Sequence, residues 1–332
     1  MLKVGLIGCG FMGGMHSSCY AALDGVTVSA VADLRADKAE EIAKVHNAEI
    51  FANGEELIAN ADVDIIDICL PTYLHTSHAV SAMKKGRHVF IEKPVCLTPE
   101  EGELLIKIEK ETGAKVQVGQ VIRFWNEYKW LKEAADSGRY GKIKSAVFKR
   151  LSSVPDWAWE GWLHDPEKSG SVALDMHIHD VDFMRYLMGE PESFKASVSR
   201  NENNVIEQIF TTFEYPDAAV TVEACWDYPE AFPFDAGFRV KFENATVVND
   251  SNGLNVYHKG GKTEKIEIKA EFEGSDDIGG NISDLGGYYN ELKYFTERLA
   301  ANEPLCVAPI EEAVKSVNLA LSEIASVGGA KI

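Results

Sequence analysis

The first third of the chain alternates short, almost wholly apolar runs with segments in which apolar residues recur every three or four positions. Apolar runs of about four to eight residues predict buried strands, and the wider spacing predicts amphipathic helices. The predicted strands are 3–8, 26–32, 64–70, 88–92 and 115–119. The predicted helices are 12–23, 36–46, 54–60, 76–85 and 99–112. Buried strands that alternate with helices predict an α/β unit with a doubly wound parallel sheet.

After about residue 140 the pattern changes to longer segments in which polar and apolar residues alternate, as in Arg239-Val240-Lys241-Phe242. This period of two predicts half-buried strands. The predicted strands are 145–150, 193–200, 206–215, 218–226, 238–244 and 262–268, and helices at roughly 283–301 and 309–327 end the chain. The pattern predicts an α+β unit with a large, mostly antiparallel open sheet.

Length and charge narrow the classes of protein that fit. A chain of 332 residues predicts two domains. The formal net charge of -19 argues against nucleic acid as a partner, and no apolar stretch approaches the ~20 residues of a membrane span. The chain passes from Met1 directly into a strand with no signal-peptide pattern. Six cysteines without a C-x-x-C pair predict reduced thiols rather than a disulfide framework or a metal site. These features favour a cytoplasmic protein.

A glycine motif follows the first predicted strand and opens the first predicted helix: Gly8-Cys9-Gly10-Phe11-Met12-Gly13. Strand, G-x-G-x-x-G and helix in this order predict a Rossmann dinucleotide site, in which the helix N-terminus receives the pyrophosphate. Asp33 ends the next strand, where a carboxylate binds ribose hydroxyls and disfavours a 2′-phosphate. The expected cofactor is therefore NAD, although Arg35 leaves NADP possible.

Three motifs in this order resemble the Gfo/Idh/MocA family of NAD(P)-dependent oxidoreductases. They are the glycine motif with His16 behind it, Glu92-Lys93-Pro94, and the segment DMHIHDVD at 175–182. The resemblance implies a dinucleotide-binding Rossmann domain over 1–121 and an α+β substrate-binding and oligomerisation domain over 122–332. The expected cofactor contacts are Gly8, Gly10, Phe11, Met12, Gly13, Asp33, Arg35, Leu70, Pro71, Thr72, His75, Glu92 and Lys93.

Lys93 follows a strand end, and ligands of open parallel sheets bind beyond the carboxyl ends of the strands. Pro94 disfavours a helical conformation at Lys93 and permits a cis peptide bond. A surface ion pair between Lys93 and Glu92 would also fit the residues alone. The family resemblance instead implies that this lysine faces both nicotinamide and substrate, where its ammonium binds a substrate oxygen.

Asp175 and His179 lie four residues apart, so that a helix would place them on one face. A carboxylate beside an imidazole suits a general base, and the family resemblance implies this role on a sugar or cyclitol hydroxyl. Two alternatives stay open. One is an ordinary packed helix with its acids outside, and the other is a zinc site of His177, His179 and Asp182, although rings two residues apart point to different faces. His177 replaces the small residue common in the family and could enter the substrate site.

Weaker signals concern the substrate and the assembly. The resemblance favours Arg123 near the substrate, with an interdomain salt bridge as the alternative. Among Trp157, Trp159 and Trp162, the last is favoured as a residue that stacks on a sugar ring, and Tyr288 is a further candidate. The apolar residues Phe210, Phe213, Val220 and Val222 suggest an uncovered sheet face that forms a homodimer or homotetramer.

The expected function is reversible oxidation of a secondary alcohol of a sugar, sugar acid or cyclitol by hydride transfer to NAD(P). The catalytic residues are expected to be Lys93, Asp175 and His179, and the substrate contacts Lys93, Arg123, Trp162, Asp175 and His179. Two alternatives are a regulator that binds NAD and a sugar without catalysis, and a glycosidase that uses NAD without net redox change.

Overall fold

Every predicted strand of the first third forms part of one parallel sheet in the computed structural model, which describes residues 1–156, 158–269 and 285–328. The sheet has six strands in the order β3-β2-β1-β4-β5-β6. They are β1 (Leu2–Ile7), β2 (Val26–Ala32), β3 (Glu49–Phe51), β4 (Ile65–Ile68), β5 (His88–Glu92) and β6 (Val116–Gly119). The connection from β3 to β4 changes direction across the sheet, so that β1 and β4 flank the crevice where ligands of such sheets bind.

The helices of this sheet follow the predicted segments closely. They are α1 (Phe11–Ala22), α2 (Ala36–His46), α3 (Gly54–Asn60), α4 (His75–Lys84) and α5 (Pro99–Thr112). The start of α5 shows why the sequence could locate it: the Thr98 hydroxyl accepts a hydrogen bond from the Glu101 N–H at 3.2 Å, and Pro99 occupies the first helical position. Gly113 ends the helix in the left-handed conformation.

The second sheet has eight strands in the order β14-β13-β12-β11-β7-β10-β9-β8. They are β7 (Ile143–Ser153), β8 (Ser193–Arg200), β9 (Ile206–Tyr215), β10 (Ala218–Tyr228), β11 (Asp235–Phe242), β12 (Ala245–Asp250), β13 (Gly253–His258) and β14 (Thr263–Lys265). All its neighbours are antiparallel except the central pair β7 and β10, which is parallel. The predicted fold class is thereby confirmed for both sheets.

Three further helices accompany this second sheet: α6 (Asn126–Asp136), α7 (Pro166–Ser169) and α8 (Ile178–Met188). The chain ends with α9 (Gly286–Ala300) and α10 (Ile310–Ser326). One compact unit combines Met1–Val121 with a later stretch that includes α9 and ends at Val317. The other begins at Ile122 and also takes in the chain from Asn318. The division into domains 1–121 and 122–332 stays a prediction beside this grouping.

The expectation of an apolar uncovered sheet face is not met by the residues on which it was based. Phe213, Val220 and Val222 are fully buried, whereas Phe210 is 38% exposed. Phe210 and Phe213 are an odd number of residues apart on β9, so they point to opposite faces. The exposed side of β9 carries Thr212 and Glu214 beside Phe210 and is therefore mainly polar.

Two other expectations concern membranes and thiols. None of the helices in the described part of the chain has the length and apolar character needed to cross a membrane. All six cysteines are among the described residues and are free thiols; four are buried, Cys69 is half-buried and Cys306 is exposed.

Candidate functional site

The glycine motif forms the turn between β1 and α1, and two of its glycines are required by space. Gly8 has a φ of +92°, and a Cβ there would lie 2.4 Å from the Cys69 carbonyl oxygen. A Cβ on Gly13 would lie 1.9 Å from the Gly8 carbonyl oxygen. Helix α1 has no side-chain cap and no acidic residue in its first turn. The partial positive charge of this helix N-terminus favours an anion such as a pyrophosphate.

Asp33 follows β2 and binds both the glycine turn and Arg35. One carboxylate oxygen accepts the Cys9 N–H at 2.8 Å, and the other accepts the Arg35 N–H at 2.8 Å. The Arg35 guanidinium donates to both oxygens at 3.1 Å. Burial raises the pKa of Asp33, but the bonds from Arg35 and Cys9 outweigh this effect, so the pKa lies below its ordinary value. The site therefore presents an ionised carboxylate with a guanidinium beside it.

His75 connects the loops that follow β4 and β5. Its Nδ1 lies 2.8 Å from the Pro94 carbonyl oxygen and its Nε2 lies 2.7 Å from the Leu70 carbonyl oxygen. The side chain is almost completely buried, and burial lowers its pKa. A neutral ring donates to one carbonyl at a time. His75 thus lies between the two loops and donates a hydrogen bond to one of them at a time. The predicted cofactor contacts of His75, Leu70, Pro71 and Thr72 stay predictions.

Lys93 is distinguished by its exposure. From Val89 to Leu97 every residue is buried except Lys93, which is half-buried, and the Lys93–Pro94 peptide bond is cis. The Lys93 N–H donates to one oxygen of Glu92 at 3.2 Å. The other oxygen of the Glu92 carboxylate lies 3.1 Å from Nε2 of His16. The Glu92 carboxylate therefore contacts both an imidazole and the Lys93 N–H, and the Glu92–Lys93 ion pair stays an open alternative.

His16 lies at the centre of a buried cluster that the sequence did not reveal. Its Nδ1 lies 2.8 Å from a carboxylate oxygen of Asp67, opposite the Glu92 contact at Nε2. Burial lowers the pKa of His16, but the charge of Asp67 and its hydrogen bond reverse this effect and raise the pKa well above its ordinary value. His16 is therefore an imidazolium between two carboxylates.

Glu291 of α9 completes this cluster and is fully buried. Burial first, and then the charge of Glu92, raise the pKa of Glu291 well above its ordinary value. The raised pKa favours the neutral acid form of Glu291. Asp67 could have signalled the cluster from the sequence, because it interrupts the apolar strand Ile65–Ile68. Glu291 follows no comparable pattern.

Asp175 and His179 stand out in the second unit for the same reason as Lys93 does in the first. Between Ser169 and Arg185 they alone are half-buried, and all other residues are buried. Ala173–His177 form a π-helical turn, from which α8 continues. The segment that carries Asp175 is therefore helical, but it is π-helical rather than α-helical. Single π turns are frequent at functional sites.

The neighbouring acids are buried in ion pairs, unlike the exposed acids of an ordinary surface helix. The Asp180 carboxylate accepts a hydrogen bond from the Arg150 guanidinium at 3.0 Å. The Asp182 carboxylate accepts two hydrogen bonds from the Arg123 guanidinium, each at 2.7 Å. Burial raises the pKa of Asp180 against the opposing effect of Arg150. The predicted substrate contact of Arg123 stays a prediction, but its burial and its fork to Asp182 favour a structural role within the second unit.

His177 does not have the exposure that a substrate residue needs. It is fully buried and its Nε2 lies 2.8 Å from a carboxylate oxygen of Glu323 in α10. Because Asp182 binds Arg123 and His177 binds Glu323, the zinc alternative that joined them to His179 is not supported. The candidate metal groups found among the described residues contain none of the three.

The aromatic candidates occupy different surroundings. Trp162 is half-buried in the irregular segment Trp159–His164, and its predicted stacking on a sugar stays a prediction. Trp157 lies outside the described residues. Tyr288 is 7% exposed in α9, and its ring centroid lies 6.4 Å from that of His16. It belongs to the surroundings of the buried cluster.

The protein families that match this sequence cover the glycine turn and strands of both sheets. Residues 2–120 match the GFO/IDH/MocA oxidoreductase family with its NAD-binding Rossmann fold, and residues 128–248 match the GFO/IDH/MocA C-terminal domain. The chain belongs to the GFO/IDH/MocA family of oxidoreductases. The predicted family and its NAD cofactor are confirmed. The residues at the glycine turn fit this cofactor, since space for a Cβ is lacking at Gly8 and Gly13.

Individual relatives give a range of activities. The chain is 31% identical over 190 residues to myo-inositol 2-dehydrogenase of Thermotoga maritima, a match of 57% of this chain and 55% of that protein. It is 25% identical over 287 residues to 2,7-anhydro-N-acetylneuraminate hydratase of Escherichia coli, covering 83% of this chain and 75% of that protein. The chain thus spans little more than half the length of the inositol relative.

A solved structure shows the same fold over nearly the whole chain. Levoglucosan dehydrogenase in complex with NADH and levoglucosan aligns with a TM-score of 0.85 at 21% identity, covering 98% of this chain and 96% of that one. At this identity the comparison establishes the fold that the two chains share.

Asp33→Ala is expected to change the cofactor preference. Loss of one charge-assisted hydrogen bond should raise the Kd of NADH about tenfold. The Kd of NADPH should change less, because the released Arg35 can pair with a 2′-phosphate. Fluorescence titration of both cofactors measures the ratio. Asp37→Ala removes an exposed acid nearby and is the control. An unchanged NADH to NADPH ratio in D33A would contradict this role of Asp33.

Glu291→Gln is expected to stabilise the protein at alkaline pH. A folded-state pKa raised above the unfolded value means that the free energy of unfolding falls as pH rises from the ordinary pKa through the folded one. The glutamine side chain carries no titrating proton and escapes this loss, so the stability of the variant relative to the parent protein should rise between pH 4 and pH 8.

Urea unfolding across this pH range measures the gain from E291Q. Glu103→Gln removes an exposed carboxylate from α5 and should show no such pH-dependent difference. A stability difference between E291Q and the parent protein that stays constant from pH 4 to pH 8 would contradict a raised pKa of Glu291 in the folded state.

Proposed function

We propose that the protein is an NAD-dependent dehydrogenase that oxidises a secondary alcohol of a sugar, sugar acid or cyclitol to a ketone. The observation that carries the proposal is the selective exposure of Lys93, Asp175 and His179 in segments that are otherwise buried. Polar side chains kept accessible amid a packed core are those expected to meet a ligand. The dehydrogenase relative from Thermotoga maritima supports the substrate class.

The proposed chemistry assigns one task to each of these residues. His179 accepts the proton of the substrate hydroxyl, and Asp175 orients the imidazole for that transfer. Lys93 donates a hydrogen bond to the same oxygen and stabilises the negative charge that develops on it. The nicotinamide of bound NAD supplies the acceptor for the hydride that leaves the carbon. Proton and hydride together account for the two-electron oxidation of the alcohol.

A hydratase is the second candidate, because the relative with that activity matches 83% of this chain. The same basic residues would serve a reaction in which water is added to the substrate without net change in NAD. The two candidates differ in an observable quantity. A dehydrogenase produces NADH in proportion to product, whereas a hydratase leaves the NADH absorbance constant while product accumulates.

Lys93→Ala and His179→Ala are each expected to lower kcat by ~10²–10⁴-fold with cofactor binding retained. NADH formation, followed by its absorbance with a panel of polyols and sugars, measures turnover, and fluorescence titration measures NADH binding. Lys85→Ala and His164→Ala alter exposed residues of the same types and are the controls. Full activity in both K93A and H179A would exclude the mechanism.

Assembly through the second sheet is the remaining part of the proposal. A homodimer or homotetramer should appear in light scattering at micromolar concentration, and Phe210→Glu should shift it toward the monomer. Phe210 is the exposed aromatic of β9, and a charge there opposes burial of that surface. Leu104→Glu places a charge at an exposed apolar residue of α5 and is the control. A monomeric parent protein would refute the assembly.

We also propose a cytoplasmic location, because all six cysteines are free thiols.

A further inference from the structure

His177 belongs to a buried three-residue network in the second unit that the proposed chemistry does not use. One carboxylate oxygen of Glu323 forms two hydrogen bonds: one with His177 Nε2 at 2.8 Å, and one that it accepts from the Thr211 hydroxyl. All three side chains have no exposed surface. The network joins the π turn, strand β9 and helix α10. Substrate contact is excluded for a ring so enclosed, and its hydrogen bond must therefore serve the protein.

The π turn that ends at His177 is a conformation that needs support. Ala173–His177 depart from the regular α-helix, and Ser171 shortly before them has a φ of +60° although it is buried and is not a glycine. Such conformations persist where the surrounding structure determines them. Asp175 lies within this turn, and His179 lies two residues beyond His177.

We infer that His177 is a positioning residue: through its bond to Glu323 it holds the π turn and so sets the place of the Asp175 carboxylate relative to the His179 imidazole. This inference rests on the proposed function, because it explains how Asp175 is held in the position from which it orients His179. A hydrogen bond of 2.8 Å between fully buried groups is costly to break and can hold the turn. The nearby buried acids are already occupied, Asp180 by Arg150 and Asp182 by Arg123.

Two substitutions distinguish a positioning role from general stability. His177→Leu and Thr211→Val each remove one hydrogen bond to the same oxygen of Glu323. Both should lower the Tm by a similar amount, because each leaves the buried carboxylate with one donor fewer. Only H177L releases the π turn. It should lower kcat for the polyol about tenfold and shift the acid limb of the pH profile of kcat/KM, with the Kd of NADH unchanged.

His177→Gln provides the rescue, because its amide N–H can donate to Glu323 in place of Nε2. Its kcat should stay within about threefold of the parent value. If H177L is not recovered in folded form, His177→Asn is the second variant, since its amide is too short to reach Glu323. Equal effects of H177L and T211V on kcat and on the pH profile would overturn the inference.

Histidine NMR titration separates this inference from the proposed function, because it requires no turnover. The pH at which His179 is half protonated should differ between H177L and the parent protein and should be unchanged in T211V. A shift in H177L with no polyol oxidised by the parent protein would refute the proposed function and support the positioning role. Oxidation of a polyol by the parent protein, with no change in the titration of His179 in H177L, would support the proposed function and refute the positioning role.

Discussion

The placement of an imidazolium between two buried carboxylates is the interaction on which the carboxyl edge of the first sheet depends. Asp67 and Glu92 belong to the adjacent strands β4 and β5, where ionised side chains without partners would be costly to bury. His16 pairs with both, and the raised pKa of Glu291 favours its neutral acid form beside them. The loops after these strands, which carry Leu70 and Lys93, therefore start from fixed points. His75 then ties the loops to each other.

The second unit uses its charges in a comparable way. Arg150 and Arg123 neutralise the two acids of α8 that point into the packed interior. Breaking such a buried pair leaves a charge without compensation and is strongly destabilising. Asp175 and His179 are left as the polar residues of this segment that retain access to solvent. The distinction between structural and chemical roles among the three aspartates and two histidines of DMHIHDVD thus follows from burial, which the sequence alone does not show.

The sequence predicted features that depend on local pattern and missed those that depend on distant partners. Helix 36–46 and strands 206–215 and 88–92 were located at their observed bounds, because periodicity and caps are local. Strands β12 and β13 were not predicted. The π turn, the pairing of His177 with Glu323, and the presence of Glu291 beside Glu92 require knowledge of tertiary packing. The parity of Phe210 and Phe213 on strand β9 is local information, and it places the two side chains on opposite faces of the sheet.

The parallel pairing of β7 with β10 at the centre of the second sheet has a consequence for how this unit folds. Ala146 pairs with Val220, so the middle of the sheet joins parts of the chain that are far apart in sequence. The intervening hairpin of β8 and β9 can form locally, but β7 must wait for a long loop to close. During synthesis β7 emerges well before its neighbour, with an unpaired edge that is open to wrong partners. This topology therefore favours slow folding of the second unit and a transiently unpaired strand edge.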